Sequence, residues 1–341
     1  MKDLVEALCS DECAGRAPGT PGGVLARGIV RDALREAGLD PEEQAVPACR
    51  GANVLATIPG DVDRWILVAA HYDHLGESEG VIYRGADDNA AAVAILVEVA
   101  RGLKARRHEG RGVILAAFDA EEPPYYLTAG MGSEHFARNP IVPLDRIDLM
   151  VCMDLVGHAL GEAGMPSEVR DTVFALGAER SRGTGALVDE LARSEAGVVI
   201  RRADAEIIPP LSDYASFWER ERPFVLLTNA RSRIYHTPLD TPALLAWDKM
   251  AATARWLERF VRASAAREEG PFVFSRARDD VSTLESFIAL TAPLAELSPE
   301  AAMGHALARD LRGRCRANGS LAMGDRPQLE MLVGALESGL A

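Results

Sequence analysis

The chain has 341 residues, 48% hydrophobic and 26% charged, enough apolar content for a sizeable core in a globular protein. A formal net charge of −14 disfavours nucleic acid and anionic membranes as partners, and no basic tract of useful length offsets it. The cysteines, Cys9, Cys13, Cys49, Cys152 and Cys315, are odd in number and scattered, so they read as free thiols of a reducing compartment and not as a disulfide framework.

In chain order, the start from Met1 to Glu6 lacks an apolar signal core, and the cytoplasm is the expected location. No apolar run reaches about 18 residues, so no membrane-spanning helix is expected. A short helix is expected over 3–9 and a Gly- and Pro-rich loop over 14–23. A helix over 24–37 places Ile29, Val30, Ala33, Leu34 and Ala37 on one side and stops at Gly38. Strands follow at 53–58 and 65–70. The second lacks polar alternation, which predicts burial on both faces. It runs into His71-Tyr72-Asp73-His74.

Gly85-Ala86-Asp87-Asp88-Asn89-Ala90 then introduces a helix over 88–104. The apolar strand 113–118 leads into Asp119-Ala120-Glu121-Glu122. A helix at 133–138 and a strand at 147–153, ending at Asp154, come next. Helices are expected at 167–179 and 185–194, a short strand at 198–201, a short helix at 213–219 and a buried strand at 224–228. Past that strand lies Tyr235-His236-Thr237-Pro238-Leu239-Asp240-Thr241. Thr241 is the expected cap, and Pro242 the first-turn residue, of a long helix over 241–266. Beyond residue 270 the segments 281–290, 299–316 and 326–340 are amphipathic and helical, with no strand between them. The reading is a catalytic domain over 1–268 and a C-terminal helical extension over 269–341, with the boundary near 268–280.

Strands alternating with helices argue for an α/β fold, a three-layer αβα sandwich around a mixed, mostly parallel sheet. Such sheets bind ligands beyond the carboxyl ends of their strands. There the sequence places His71 and Asp73, Glu121 and Glu122, Asp154, and the loop bearing His236, with Asp87-Asp88 at a helix start. Carboxylates crowd at one point only when a cation offsets their charge. Two imidazoles with carboxylates and no cysteine suit zinc, cobalt or manganese, and a bridging carboxylate would make a two-metal hydrolytic site. Each piece alone has a plainer explanation: a polar cluster for His-x-Asp, a solvated loop for Glu-Glu, a helix-dipole partner for Asp-Asp. The residues alone do not choose between Asp87 and Asp88 as the bridge.

The same order resembles the M28 zinc metallopeptidases of the bimetallic aminopeptidase type, over about residues 10–265. Ser212-Asp213-Tyr214-Ala215-Ser216-Phe217-Trp218 and the early Gly15-Arg16-Ala17-Pro18-Gly19-Thr20-Pro21-Gly22 are also similar to family features. The resemblance implies two divalent ions, zinc first of all. It puts His71 and Asp154 on one ion, Glu122 and His236 on the other, and Asp88 between them with Asp87 beside it as a non-ligand. It further implies Glu121 as general base, Asp73 as the partner of the other His71 ring nitrogen, a comparable supporting role for Asp240 on the His236 loop, and a cis bond at Asp88–Asn89. The activity implied is removal of N-terminal residues from peptides, by a metal-activated hydroxide with Glu121 taking the proton. The partner would be a peptide or small amino-acyl substrate; a homo-oligomer stays open.

One departure is the segment Pro123-Pro124-Tyr125-Tyr126-Leu127-Thr128-Ala129-Gly130-Met131 ahead of Gly132-Ser133, longer than the family's usual spacing. Tyr125 and Tyr126 are candidate pocket walls there. A longer segment is also found in glutaminyl cyclase-like enzymes, which share the fold and use a single zinc; Asp87-Asp88-Asn89 favours the peptidase form. A non-catalytic binding protein is the third alternative. His74 is a candidate outer-layer residue and His158 a candidate cleft residue. His108, His135 and His305 are expected on the surface or on helices, and Trp218 in the core. The helical tail is expected to be a stabilising appendage, with a dimer surface or an active-site lid as alternatives.

Overall fold

The computed structural model describes residues 1–106, 109–268 and 272–340. Helices α1 (Lys2–Leu8) and α2 (Pro21–Glu36) lead into strands β1 (Glu42–Val46), β2 (Gly51–Ile58) and β3 (Val62–His71). A small hairpin, β4 (Gly76–Ser78) and β5 (Val81–Tyr83), precedes α3 (Ala91–Ala105), β6 (Arg111–Phe118), α4 (Gly132–Arg138) and β7 (Ile147–Met153). Then come α5 (Ser167–Arg170), β8 (Thr172–Leu176), α6 (Thr184–Leu191), β9 (Val199–Ala203), α7 (Ala215–Trp218) and β10 (Phe224–Thr228). Helices α8 (Trp247–Ala266), α9 (Asp280–Thr291), α10 (Pro299–Arg314) and α11 (Arg326–Leu340) complete the described chain.

One eight-stranded mixed sheet, in the order β1-β2-β6-β3-β7-β10-β8-β9, forms the middle layer. Its centre, β6-β3-β7-β10, is parallel throughout, and antiparallel pairs join β1 to β2, β2 to β6 and β10 to β8. The absence of alternation in β3 has a direct cause. Ile66, Val68 and Ala70 enter one core with Trp256 and Phe260 of α8, while Leu67 and Ala69 enter a second core with Phe136 of α4 and Phe217 of α7. Helices therefore cover both faces, and every strand of the parallel centre must be apolar on both sides.

Several elements differ from expectation. Helix α2 begins at Pro21, three residues early, because the Thr20 side chain accepts a hydrogen bond from Gly23 N and Pro21 suits the first turn. The glycines that read as loop are needed for packing: a Cβ on Gly22 would lie 2.0 Å from the Cys13 carbonyl oxygen. Strand β1 is an edge strand of Glu42-Glu43-Gln44 character with no apolar signal. The expected helix over 167–179 is one turn followed by β8: Val169, Val173 and Leu176 have helical spacing, but β10 and β9 claim 172–176 as a strand. Thr241 makes no side-chain cap; Pro242–Leu244 is a separate turn and α8 starts at Trp247.

Helix α9 packs on the far edge of the sheet. Thr283 Oγ1 accepts from Asp204 N at 2.8 Å and Ser286 Oγ donates to the Arg202 carbonyl at 2.6 Å. Leu284, Phe287, Ala308, Leu311, Leu329 and Leu332 form a core of their own among α9, α10 and α11. The expected boundary at 268/269 borders residues 269–271, which with His108 lie outside the described residues. Among the described residues no helix is long and apolar enough to cross a membrane. The cysteines are free, and all but Cys315 are buried.

Candidate metal centre

The parallel strands deliver the expected groups to one edge of the sheet. His71 is the last residue of β3, Asp154 follows β7 directly, Glu121 and Glu122 lie just past β6, and His236 arrives on the loop after β10. The Asp87-Asp88 pair sits in a widened helical turn, Ala86–Ala90, that leads into α3. The backbone of Asp88 and Asn89 leaves the helical region there, and the Asp88–Asn89 peptide bond is cis, as the resemblance implies. Pro123–Pro124 is cis as well.

The side chains form two groups that share Asp88. His71 Nε2 lies 3.4 Å from Asp88 Oδ1 and 3.5 Å from Asp154 Oδ1. On the other side, His236 Nε2 lies 3.2 Å from Asp88 Oδ2 and 3.2 Å from Glu122 Oε2. Glu121 Oε2 lies 3.8 Å from His71 Nε2, beside the shared carboxylate. These atoms are close without bonding one another in aligned geometry: His71 Nε2, Asp154 Oδ1, Glu122 Oε1 and His236 Nε2 are buried with no hydrogen-bond partner. Buried polar atoms without partners are costly, and donors of this type and spacing fit divalent ions.

The electrostatics match that fit. Burial disfavours a charged His71 ring, yet Glu121, Asp154 and Asp73 pull its pKa well above the ordinary value. Burial likewise opposes charge on His236, and Asp88 and Glu122 raise it to about 10. Burial pushes the Glu121 carboxyl well up; His71 opposes this, and Asp154, Asp213 and Glu122 add to it. A pocket that draws protons onto its imidazoles and onto one glutamate is short of positive charge.

A ring of supporting groups fixes these atoms. Asp73 Oδ1 is 3.5 Å from His71 Nδ1, and the same carboxylate accepts the backbone N–H of Glu121 at 3.1 Å and of Glu122 at 3.2 Å. One side chain thus places a ring, the glutamate pair and the entry to their loop. Asp240 ties the loop that carries His236 to the shared turn, accepting the N–H of Asp87 at 2.8 Å and of Asp88 at 3.1 Å. Arg16, fully buried, holds the turn from below, donating to the carbonyls of Tyr72, Arg84, Gly85 and Asp88. Asn89 donates to the Met153 carbonyl at 2.9 Å and so ties the turn to the end of β7.

Asp87 points away from the shared position. Its carboxylate accepts from Gly157 N and His158 N and pairs with His158 Nδ1 at 2.6 Å. The residues alone left Asp87 and Asp88 equal; the contacts separate them. His158, a candidate cleft residue, is instead buried in this pair. Behind it, the buried Lys249 Nζ donates to the His158 carbonyl at 3.0 Å, and burial lowers its pKa to about 7. Tyr125 packs with Val46, Cys49 and Ala120, whereas Tyr126 sits within the field of Glu121 and Asp154 and its hydroxyl donates to the Pro210 carbonyl. Tyr235 stacks on His236 at 3.8 Å.

Two residues belong to the site that sequence reasoning placed outside it or did not weigh. His74 is fully buried with Nδ1 2.8 Å from Glu122 Oε1. Asp213, from Ser212-Asp213-Tyr214, is fully buried near Glu121, and burial pushes its carboxyl up to about 7. The Ser-Asp-Tyr similarity was the signal for Asp213; His74 had only its place three residues after His71.

The family model described as "Peptidase family M28" matches residues 53–261. The chain belongs to that family. Among curated proteins, "Uncharacterized protein YfbL" of Escherichia coli (strain K12) is 28% identical over 244 residues, covering 65% of this chain and 74% of that protein. Among solved structures, the LapA aminopeptidase of Legionella pneumophila superposes with a TM-score of 0.63 at 18% identity, covering 79% of this chain and 73% of that one. The glutaminyl cyclase of Porphyromonas gingivalis superposes with a TM-score of 0.60 at 20% identity, covering 77% and 98%. At such identities these structures share the fold with this M28 chain. The family supports a peptidase-type enzyme.

Proposed function

We propose that this M28 protein is a two-metal aminopeptidase, removing residues from the amino end of peptides. The observation that carries the reading is the position of Asp88, with one oxygen 3.4 Å from His71 Nε2 and the other 3.2 Å from His236 Nε2. A single zinc needs no carboxylate between two histidines. In this reading His71 and Asp154 hold one ion, Glu122 and His236 the other, and Asp88 both. When bound, the ions polarise the scissile carbonyl and lower the pKa of a water, as zinc pairs do in hydrolytic sites.

The chain's own groups do the rest. Glu121 is the general base: it takes the proton of the attacking water and passes it to the leaving amine. Asp73 keeps that glutamate and its neighbour in register through their backbone N–H groups. Glu122 and Glu121 thereby divide two tasks between adjacent carboxylates, one ionised and one titrating. Tyr126 borders the substrate side.

The test joins metal analysis to a peptide-library digest read by mass spectrometry. Two zinc ions per chain and stepwise loss of N-terminal residues support the reading. One zinc with pyroglutamate formation from N-terminal glutamine would replace it with a glutaminyl cyclase-like activity. Glu121→Gln should keep both ions and lose roughly 10²–10⁴-fold in kcat; near-normal turnover in that variant removes Glu121 as the base.

A further inference from the structure

The His74 ring is fixed where an outer hydrogen-bonding residue would not need it. It is fully buried, and neither Nδ1 nor Nε2 has a hydrogen-bond partner. Nδ1 lies 2.8 Å from Glu122 Oε1 and 3.9 Å from Asp88 Oδ2, and the ring meets His236 edge-on with centroids 5.9 Å apart. One donor atom each from His74, Asp88 and Glu122 lie within 4.8 Å of one another. The backbone makes room for this placement: a Cβ on Gly85, whose φ is +56°, would fall 2.4 Å from His74 Cγ.

Two electron-rich atoms 2.8 Å apart require a positive centre, either a proton on the line between them or a cation beside it. The ring nitrogen makes no aligned hydrogen bond to that oxygen, and both atoms are buried without another partner, which favours the cation. We infer that His74 is itself a ligand, through Nδ1, of the ion held by Glu122, His236 and Asp88. The inference rests on the two-metal reading above and adds to it an asymmetry. A fourth protein donor would leave that ion fewer open positions than its neighbour, which three donors, His71, Asp154 and Asp88, would hold. The substrate carbonyl would then be received on the His71 side, next to Glu121, and the His74 side would serve as the anchor of the shared carboxylate.

Loading with ¹¹³Cd of protein carrying ¹⁵N-labelled histidine tests this without reference to turnover. The expected result is two cadmium signals, one coupled to a single ring and the other to two rings, one of them through Nδ1. That Nδ1 coupling should vanish in His74→Asn, and the second ion should bind that variant about 100-fold or more weaker, beyond the effect of losing an outer hydrogen bond. Two signals, each coupled to one ring, would overturn the role of His74 and leave the two-metal reading standing. A single cadmium signal would overturn the two-metal reading, and this inference with it. Should the variant fail to fold, the couplings in the unsubstituted protein decide alone.

Discussion

His71 and Asp154 leave the ends of two neighbouring parallel strands, β3 and β7, whose side chains are buried along their inner lengths. His236 arrives on a loop and keeps 29% of its side chain exposed, against 0% for His71. The first half of the centre inherits its geometry from the sheet. The second half is assembled from loop residues and is tied down by Tyr235 stacking, by Asp240 and by the His74 ring. Rigidity supplied by a core also carries folding stability, whereas rigidity supplied by local contacts does not. The two halves should therefore respond differently to the same substitution.

The largest expected effect comes where the halves meet. Asp88→Ala should abolish retention of both ions and reduce peptidase activity to background, read by metal analysis after gel filtration. Retention of one full equivalent would mean that the halves are independent. Next comes the direct contrast. His71→Ala should weaken one ion and also lower the melting temperature of the metal-free protein by roughly 5 °C or more, since it empties a buried strand end. His236→Ala should weaken the other ion and leave that temperature within about 2 °C. Equal thermal losses in the two variants would erase the distinction between sheet-built and loop-built halves.

The smallest effect on metal binding and turnover is expected at the support behind Asp87. Lys249 has a folded pKa of about 7 against an ordinary 10.5. Below pH 7 both folded and unfolded chains carry its charge, and the folded chain bears the full cost of burying it. Between about 7 and 10.5 only the unfolded chain holds the proton, so stability rises with pH over that window. Lys249→Met should remove this slope: its advantage over the unsubstituted protein, greatest below pH 7, should shrink by on the order of 1 kcal/mol per pH unit above it. Parallel urea-denaturation curves at pH 6, 8 and 9.5 would show this; a constant difference would contradict it.

The sheet centre was readable because burial on both faces leaves an unbroken apolar run, and β3, β6, β7 and β10 all have one. The strands that escaped notice lack that cause. β1 is an edge with charged residues, and β8 is short enough that Val169, Val173 and Leu176 mimic a helix. Site residues that end an apolar strand, such as His71 and Asp154, were visible for the same reason. His236 was visible as the imidazole on the loop after β10, but the choice of Asp88 over Asp87 was legible only through likeness to the family, because which way a carboxylate faces in a turn depends on distant partners such as Gly157 and His158. His74 and Arg16 act through contacts across 48 to 72 residues of chain, and no periodicity encodes those.

The grip of Asp240 on the N–H groups of Asp87 and Asp88 has a consequence for how the centre fills and empties. Asp240 and His236 belong to one short loop, so a swing of that loop moves a ligand and loosens the turn carrying the shared carboxylate in a single motion. In the two-metal reading, occupation of either position by an ion would stabilise the turn and, through it, the loop. The two binding events are then linked, each raising the affinity of the other by the same factor. Departure of the first ion should then be the slow step, with the second following quickly, so that the two ions of that reading would leave together.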